Sequence, residues 1–182
     1  FVSLATARYL GPSNFGTINY VAAFVSFFSS IASLGLAVIV IKEIATDKYD
    51  NNEVIWTSIW MRFGTAVLST ISIIALIFIT NRDDSMIVQI AFLESLSILF
   101  SSFDTINYYF QARLLAKWSS IAGVLAYVGM SLYRIYLLAT NADIVWFAFA
   151  TSTDMIFLTV FLMIFYIRIE GFRPKLDRKS VV

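Results

Sequence analysis

The chain has 182 residues, of which 59% are hydrophobic and only 14% charged, with a formal net charge of +1 and a mean hydropathy of +0.80. A soluble domain keeps about a quarter of its residues charged to cover its surface, so this composition excludes a water-soluble globule and points to a membrane protein. Cysteine and histidine are both missing, which removes disulfides, thiol nucleophiles and the commonest metal ligand and general base.

Residues 1–7 read as the last two turns of a hydrophobic helix. The chain starts at Phe1 without a recognisable signal peptide, so it is expected to be an interior piece of a longer protein. Crossing the hydrocarbon core takes about 20 apolar residues at about 1.5 Å each. Five runs meet that length, at about 15–41, 54–80, 86–111, 118–139 and 144–167. The connections, 8–14, 42–53, 81–85, 112–117 and 140–143, are too short to house a folded extramembrane domain. The expected fold is therefore all-α, a polytopic transmembrane helix bundle over 1–167. Residues 168–182 are basic without a further apolar run and read as a cytoplasmic linker.

Orientation follows from counting Lys and Arg on each side. One set of loops holds nine of them (Lys42, Lys48, Arg113, Lys117, Arg168, Arg173, Lys175, Arg178 and Lys179), whereas the opposite loops hold only Arg8 and Arg82. The nine mark the cytoplasmic face. Tyr108, Tyr109, Phe110 and Trp118 then form an interfacial belt around the Arg113 and Lys117 turn.

Polar residues recur at steps of three and four within the spans, which places them on single helix faces. The run containing Glu94, Ser97, Ser101, Asp104, Tyr108 and Gln111 is the fullest of these stripes. Ser58, Arg62, Thr65, Ser69 and Ser72 form another; Asn19, Ser26, Ser30 and Ser33 a third; Ser120, Gly123, Tyr127, Ser131 and Arg134 a fourth. Serines alone are explained by close helix packing, at about 1 kcal/mol per interhelical contact. Ionisable groups need more, since one at the bilayer centre costs at least about 2.5–3.5 kcal/mol and faces a cavity or a partner.

Five such groups lie in the spans: Arg62, Glu94, Asp104, Arg134 and Asp154. Matching depths suggests two pairs, Arg62 with Asp104 and Glu94 with Arg134, which either line a cavity or fix helix register. Asp154, within Thr151, Ser152, Thr153 and Asp154, has no depth-matched cation and is the candidate ion-coupling group; the alternative is a carboxyl kept neutral by burial. No glycine-rich phosphate loop, metal-ligand cluster or nucleophile elbow is present, so no catalytic residue, cofactor or metal is expected, and no nucleic-acid partner.

Residues 7–45, ARYLGPSNFGTINYVAAFVSFFSSIASLGLAVIVIKEIA, combine RYLGP, FG, a serine-rich helix, LGL and KEIA. Together with DTINYYFQARLLAKWSSIA, residues 104–122, this pattern resembles bacterial polysaccharide transport proteins, the Wzx-type O-antigen flippases of the multidrug/oligosaccharidyl-lipid/polysaccharide exporter superfamily. The resemblance covers nearly the whole chain. It implies a bundle of twelve or more helices in two lobes, of which this chain would be most of the first. It further implies a multi-pass protein of the bacterial inner membrane that moves polyprenyl-diphosphate-linked oligosaccharide by alternating access, beside membrane lipids and polysaccharide polymerase and chain-length machinery.

A diphosphate-bearing glycan needs a wet, hydroxyl-rich path with cations. The stripes supply candidates for its wall: Arg62, Arg134, Glu94, Asp104, Tyr108, Gln111, Ser97 and Ser101, with Asp154 for ion coupling. Alternative readings are a cation-coupled drug exporter, a peptidoglycan-precursor flippase, or a membrane glycan polymerase, whose large external loop the short connections do not provide.

Overall fold

The structure is a computed structural model that describes residues 2–33, 35–46, 49–82 and 84–171. Its elements are helices, in chain order α1 (Val2–Ala32), α2 (Leu36–Ala45), α3 (Asn51–Thr80), α4 (Ser85–Ser101), a 3-10 turn (Ser102–Asp104), α5 (Thr105–Ala112), α6 (Ala116–Ala139) and α7 (Ile144–Glu170). Among the described residues, five stretches are long and apolar enough to cross a membrane: Leu4–Ala32, Asn51–Thr80, Ser85–Ala112, Ala116–Ala139 and Ile144–Glu170. The chain is a multi-pass membrane protein. The all-α bundle expected from the hydropathy is the fold found.

Three boundaries differ from expectation. Residues 8–14 form no open loop, because α1 runs through them with a break at Gly11, whose φ of 74° and ψ of 169° are accessible to glycine alone. Pro12 then starts the second segment, where its missing N–H is no loss. Thr6 and Leu10 before the break and Phe15 and Ile18 after it line one cavity of about 60 Å3. Thr6 and Ile18 would lie about 18 Å apart along a straight helix, so the chain bends sharply at Gly11.

The second difference is that the apolar run 15–41 is two helices. Gly35, at φ 63° and ψ 15°, ends the first and starts α2, which turns Val40 and Ile44 into the protein. The third is that residues 86–111 are one span with a 3-10 turn inside it. Ser101 Oγ donates to the Ile98 carbonyl at 2.7 Å and Thr105 Oγ to that of Ser102 at 2.8 Å. Such back-bonding competes with the backbone ladder and loosens it. Thr159 of α7 donates to the Phe100 carbonyl at 3.1 Å, which satisfies an acceptor next to the distortion.

Connections are capped locally. Asp50 accepts from the Asn52 N–H at 3.0 Å and Asp84 from those of Met86 and Ile87, each occupying donors left over at a helix start. At the end of α6, Asn141 takes a left-handed φ of 51° while the Ala142 N–H reaches back to the Leu137 carbonyl at 3.1 Å, a Schellman-type stop. Arg168, expected in the linker, lies in the last turn of α7. The remaining basic tail, 172–182, and Lys48 lie outside the described residues.

The apolar side chains pack into two clusters stacked along the helices. One joins α1, α3, α4, α6 and α7 through Val21, Ile73, Ile77, Ile90, Leu137 and Phe147. The other joins α2, α3, α5, α6 and α7 through Ile44, Ile55, Ile106, Phe110, Ala122 and Tyr166. Between the levels at which α3, α4 and α7 enter the two clusters lie Arg62, the Ser102–Asp104 turn and the Ser152 to Asp154 stretch. The bundle is thus apolar, polar, apolar along its length.

Candidate functional site

Arg62 stands in that polar layer at 6% exposure. One of its guanidinium nitrogens, Nη1, donates to Thr105 Oγ1 at 3.2 Å and approaches the Tyr108 hydroxyl at 3.5 Å, and the guanidinium carbon lies 5.7 Å from the Tyr108 ring centroid. Its charge also acts on Asp104, but its hydrogen bonds go to hydroxyls. Asp104 is bonded by the Asn107 side chain, whose carbonyl oxygen in turn accepts from Ser119 of α6. Arg62 therefore ties α3 to α5, and Asp104 is linked through Asn107 to α6.

Arg134 and Asp154 form the second constellation. The charge of Arg134 acts on Asp154 across the α6 and α7 contact. The electrostatic neighbour of Arg134 is thus Asp154, and not the Glu94 expected from depth. By residue count Arg134 lies about 8 Å and Asp154 about 15 Å from the same end of the bundle. Glu94 cannot take its place because α7 packs against both α4 and α6 and stands between them. Arg134 also lines the small cavity at the Gly11 bend with Thr6, Phe15 and Thr151.

Glu94 is wholly buried, and among the described residues neither carboxylate oxygen has a hydrogen-bond partner. Its backbone carbonyl accepts from Ser97 Oγ at 2.6 Å and lies 3.4 Å from Ser152 Oγ, which also donates to the Leu93 carbonyl. These serines stitch α4 to itself and to α7. Ser101 likewise bonds within its own helix, whereas Gln111 is exposed in the last turn of α5. The α4 stripe therefore runs from buried Glu94 and Ser97 to exposed Gln111, with the 3-10 turn between them.

The serine stripes divide. That of α3 is turned inward, with Ser58 and Ser69 buried and Thr65 donating to the Ala32 carbonyl of α1 at 3.0 Å. Those of α1 and α6 leave Asn19, Ser26, Ser30, Ser120 and Tyr127 exposed. On α1 these groups are satisfied by their own helix, Asn19 donating to the Phe15 carbonyl at 2.7 Å and Ser30 to that of Ser26 at 2.9 Å.

A family described as polysaccharide biosynthesis protein matches residues 2–181, essentially the whole chain. The chain belongs to the polysaccharide biosynthesis protein family. This agrees with the resemblance carried by the RYLGP and FQA segments. No curated protein and no solved structure gives a match.

In this polysaccharide biosynthesis family chain, sequence reasoning missed one further constellation. At the end bearing Arg113, Asn51 Nδ2 and the Tyr109 hydroxyl donate to Glu170 Oε1 at 2.7 and 3.0 Å, and Arg113 donates to Asn51 Oδ1 at 2.9 Å. The Tyr166 hydroxyl donates to Asn52 Oδ1 at 2.8 Å, and the rings of Tyr109 and Tyr166 meet edge to face at 5.1 Å. Together they clamp the start of α3, the end of α5 and the end of α7. The available signal was that Asn51, Asn52 and Glu170 flank apolar runs, where polar residues are commonplace.

Proposed function

We propose that the chain forms one lobe of a flippase that moves undecaprenyl-diphosphate-linked oligosaccharide across the bacterial inner membrane by alternating access, as a transporter and not an enzyme. The observation that carries this reading is membership of the polysaccharide biosynthesis family over residues 2–181, in a chain with five candidate spans. A lipid-linked glycan has a tail that stays in hydrocarbon and a diphosphate head that does not, so its carrier needs a polar wall inside the bilayer.

Two features support such a wall. Neighbouring helices α1 and α6 both leave polar side chains exposed, and Arg134 lies where they meet with α7. On this reading Arg134 is the phosphate-facing cation and Asp154 the carboxylate that holds it until substrate competes for it, which makes Asp154 the coupling group. Arg62, Asp104, Ser97 and Ser101 keep the lobe rigid, whereas Glu94 is a buried carboxylate outside the proposed path; Tyr108 and Gln111 sit at its cytoplasmic end.

Complementation of a flippase-null strain with the full-length protein tests this, scored as surface polysaccharide at matched membrane abundance. Wild type restores the polymer, and Arg134→Ala and Asp154→Asn abolish it. If wild type fails while lipid-linked units still reach the outer leaflet, the flippase reading is wrong. If both variants retain wild-type levels, the Arg134 site is not the substrate path.

A further inference from the structure

A separate groove lies between α2 and α3. It encloses about 390 Å3, within the roughly 300–1,000 Å3 of small-molecule sites. Glu43, in the last turn of α2, and Glu53, in the first turn of α3, both line it. They therefore mark its outer end, at the level where the helices leave the membrane. The wall then runs inward along Val40, Ile39 and Val54 to Met61, which is ten residues or about 15 Å below the start of α3. Ile39 and Met61 are 57% and 43% exposed, so the deep end is open at its side.

Two polar atoms on the residues of this groove have no hydrogen-bond partner among the described residues, Glu43 Oε2 and Thr57 Oγ1, although both are enclosed. Unsatisfied buried polar atoms are rare enough in native structures that each calls for a missing partner. The groove is thus acidic at the head-group level and apolar over the depth of the upper acyl chain.

We propose that it holds a phospholipid of the adjacent leaflet whose head group carries a primary amine. An ammonium offers three donors and no acceptor, which matches two carboxylates and a hydroxyl. A quaternary choline head group cannot donate at all, and an anionic head group is repelled by Glu43 and Glu53. The same repulsion keeps the diphosphate of a lipid-linked glycan out, so the proposal stands independently of the transport reading.

The test is native mass spectrometry of the intact chain equilibrated with an equimolar mixture of phosphatidylethanolamine, phosphatidylcholine and phosphatidylglycerol of identical acyl chains. One charge-assisted hydrogen bond of about 1 kcal/mol gives the ethanolamine lipid about a fivefold preference in bound adducts. Glu43→Gln with Glu53→Gln brings that ratio to near one, and Ile39→Trp, which fills the deep end, reduces adducts of all three lipids. Should the double variant not fold, Glu43→Gln alone lowers the ratio. Equal binding of the three lipids by wild type, or a preference that survives loss of the carboxylates, overturns the proposal.

Discussion

Arg62 and Glu94 are both buried ionisable residues in spans, yet their surroundings are opposite. Arg62 has two hydroxyl partners and an aromatic ring, whereas the carboxylate of Glu94 has no hydrogen-bond partner among the described residues. Removing Arg62 should therefore destabilise the bundle, by about 1–3 kcal/mol for loss of a charged hydrogen-bonding group. Combining Arg62→Ala with Tyr108→Leu, which removes both the ring and the hydroxyl, should reveal a coupling of about 0.5–1 kcal/mol. Denaturation in mixed detergent micelles, followed by tryptophan fluorescence, measures both, and strictly additive effects would show that the contact contributes nothing. Glu94 goes the other way. A buried polar group without a hydrogen bond costs about 1–3 kcal/mol, so Glu94→Leu should raise stability by that order in the same assay. A loss of stability instead would mean that Glu94 has a partner in the membrane.

Among the elements, the two glycine-centred breaks are what shape α1 and α2, and they should differ in their tolerance of a side chain. A Cβ at Gly11 or Gly35 would meet no atom within 4 Å, so any cost is backbone strain alone. Gly35 is in the left-handed helical region, where an L-residue loses about 1 kcal/mol. Gly11, at φ 74° and ψ 169°, occupies a region essentially closed to other residues, with strain of about 1–3 kcal/mol. Gly11→Ala should thus lower the unfolding midpoint more than Gly35→Ala; the reverse order would place the sharper turn at Gly35. Spans were readable from hydropathy because crossing a bilayer imposes a length, and the connection expected at 8–14 is where the chain breaks at Gly11. The break at Gly35 was not, since Leu36 to Ile41 keeps the run apolar across it. The Arg134 and Asp154 pairing escaped depth counting because depth says nothing about which helices are neighbours, and α7 sits between α4 and α6. The clamp around Glu170 escaped because it joins residues with no common period.

For the whole molecule the deciding question is which exposed faces meet water and which meet lipid, and α6 poses it most sharply. Tyr127 and Val128 are adjacent on α6 and 69% and 49% exposed, yet the polar stripe contains the first and the apolar face the second. A thiol reacts as the hydrated thiolate, so a cysteine facing a wet cavity is modified by a water-soluble maleimide while one facing acyl chains is not. The chain has no cysteine of its own, which makes single-cysteine variants free of background. At Tyr127 and Ser131 the cysteine should react at least about tenfold faster than at Val128 and Leu132 in intact membranes, a difference in local environment of about 1.4 kcal/mol or more. Adding cysteines at Lys117 and Asn141 reports orientation in the same experiment, since the excess of Lys and Arg puts Lys117 on the cytoplasmic side and Asn141 on the other. Equal rates at 127 and 128 would make α6 a lipid-facing helix on all its exposed sides and remove the polar wall that the transport reading requires. Fast reaction confined to 127 and 131 would leave a water-filled path along α6, which no purely structural membrane subunit needs.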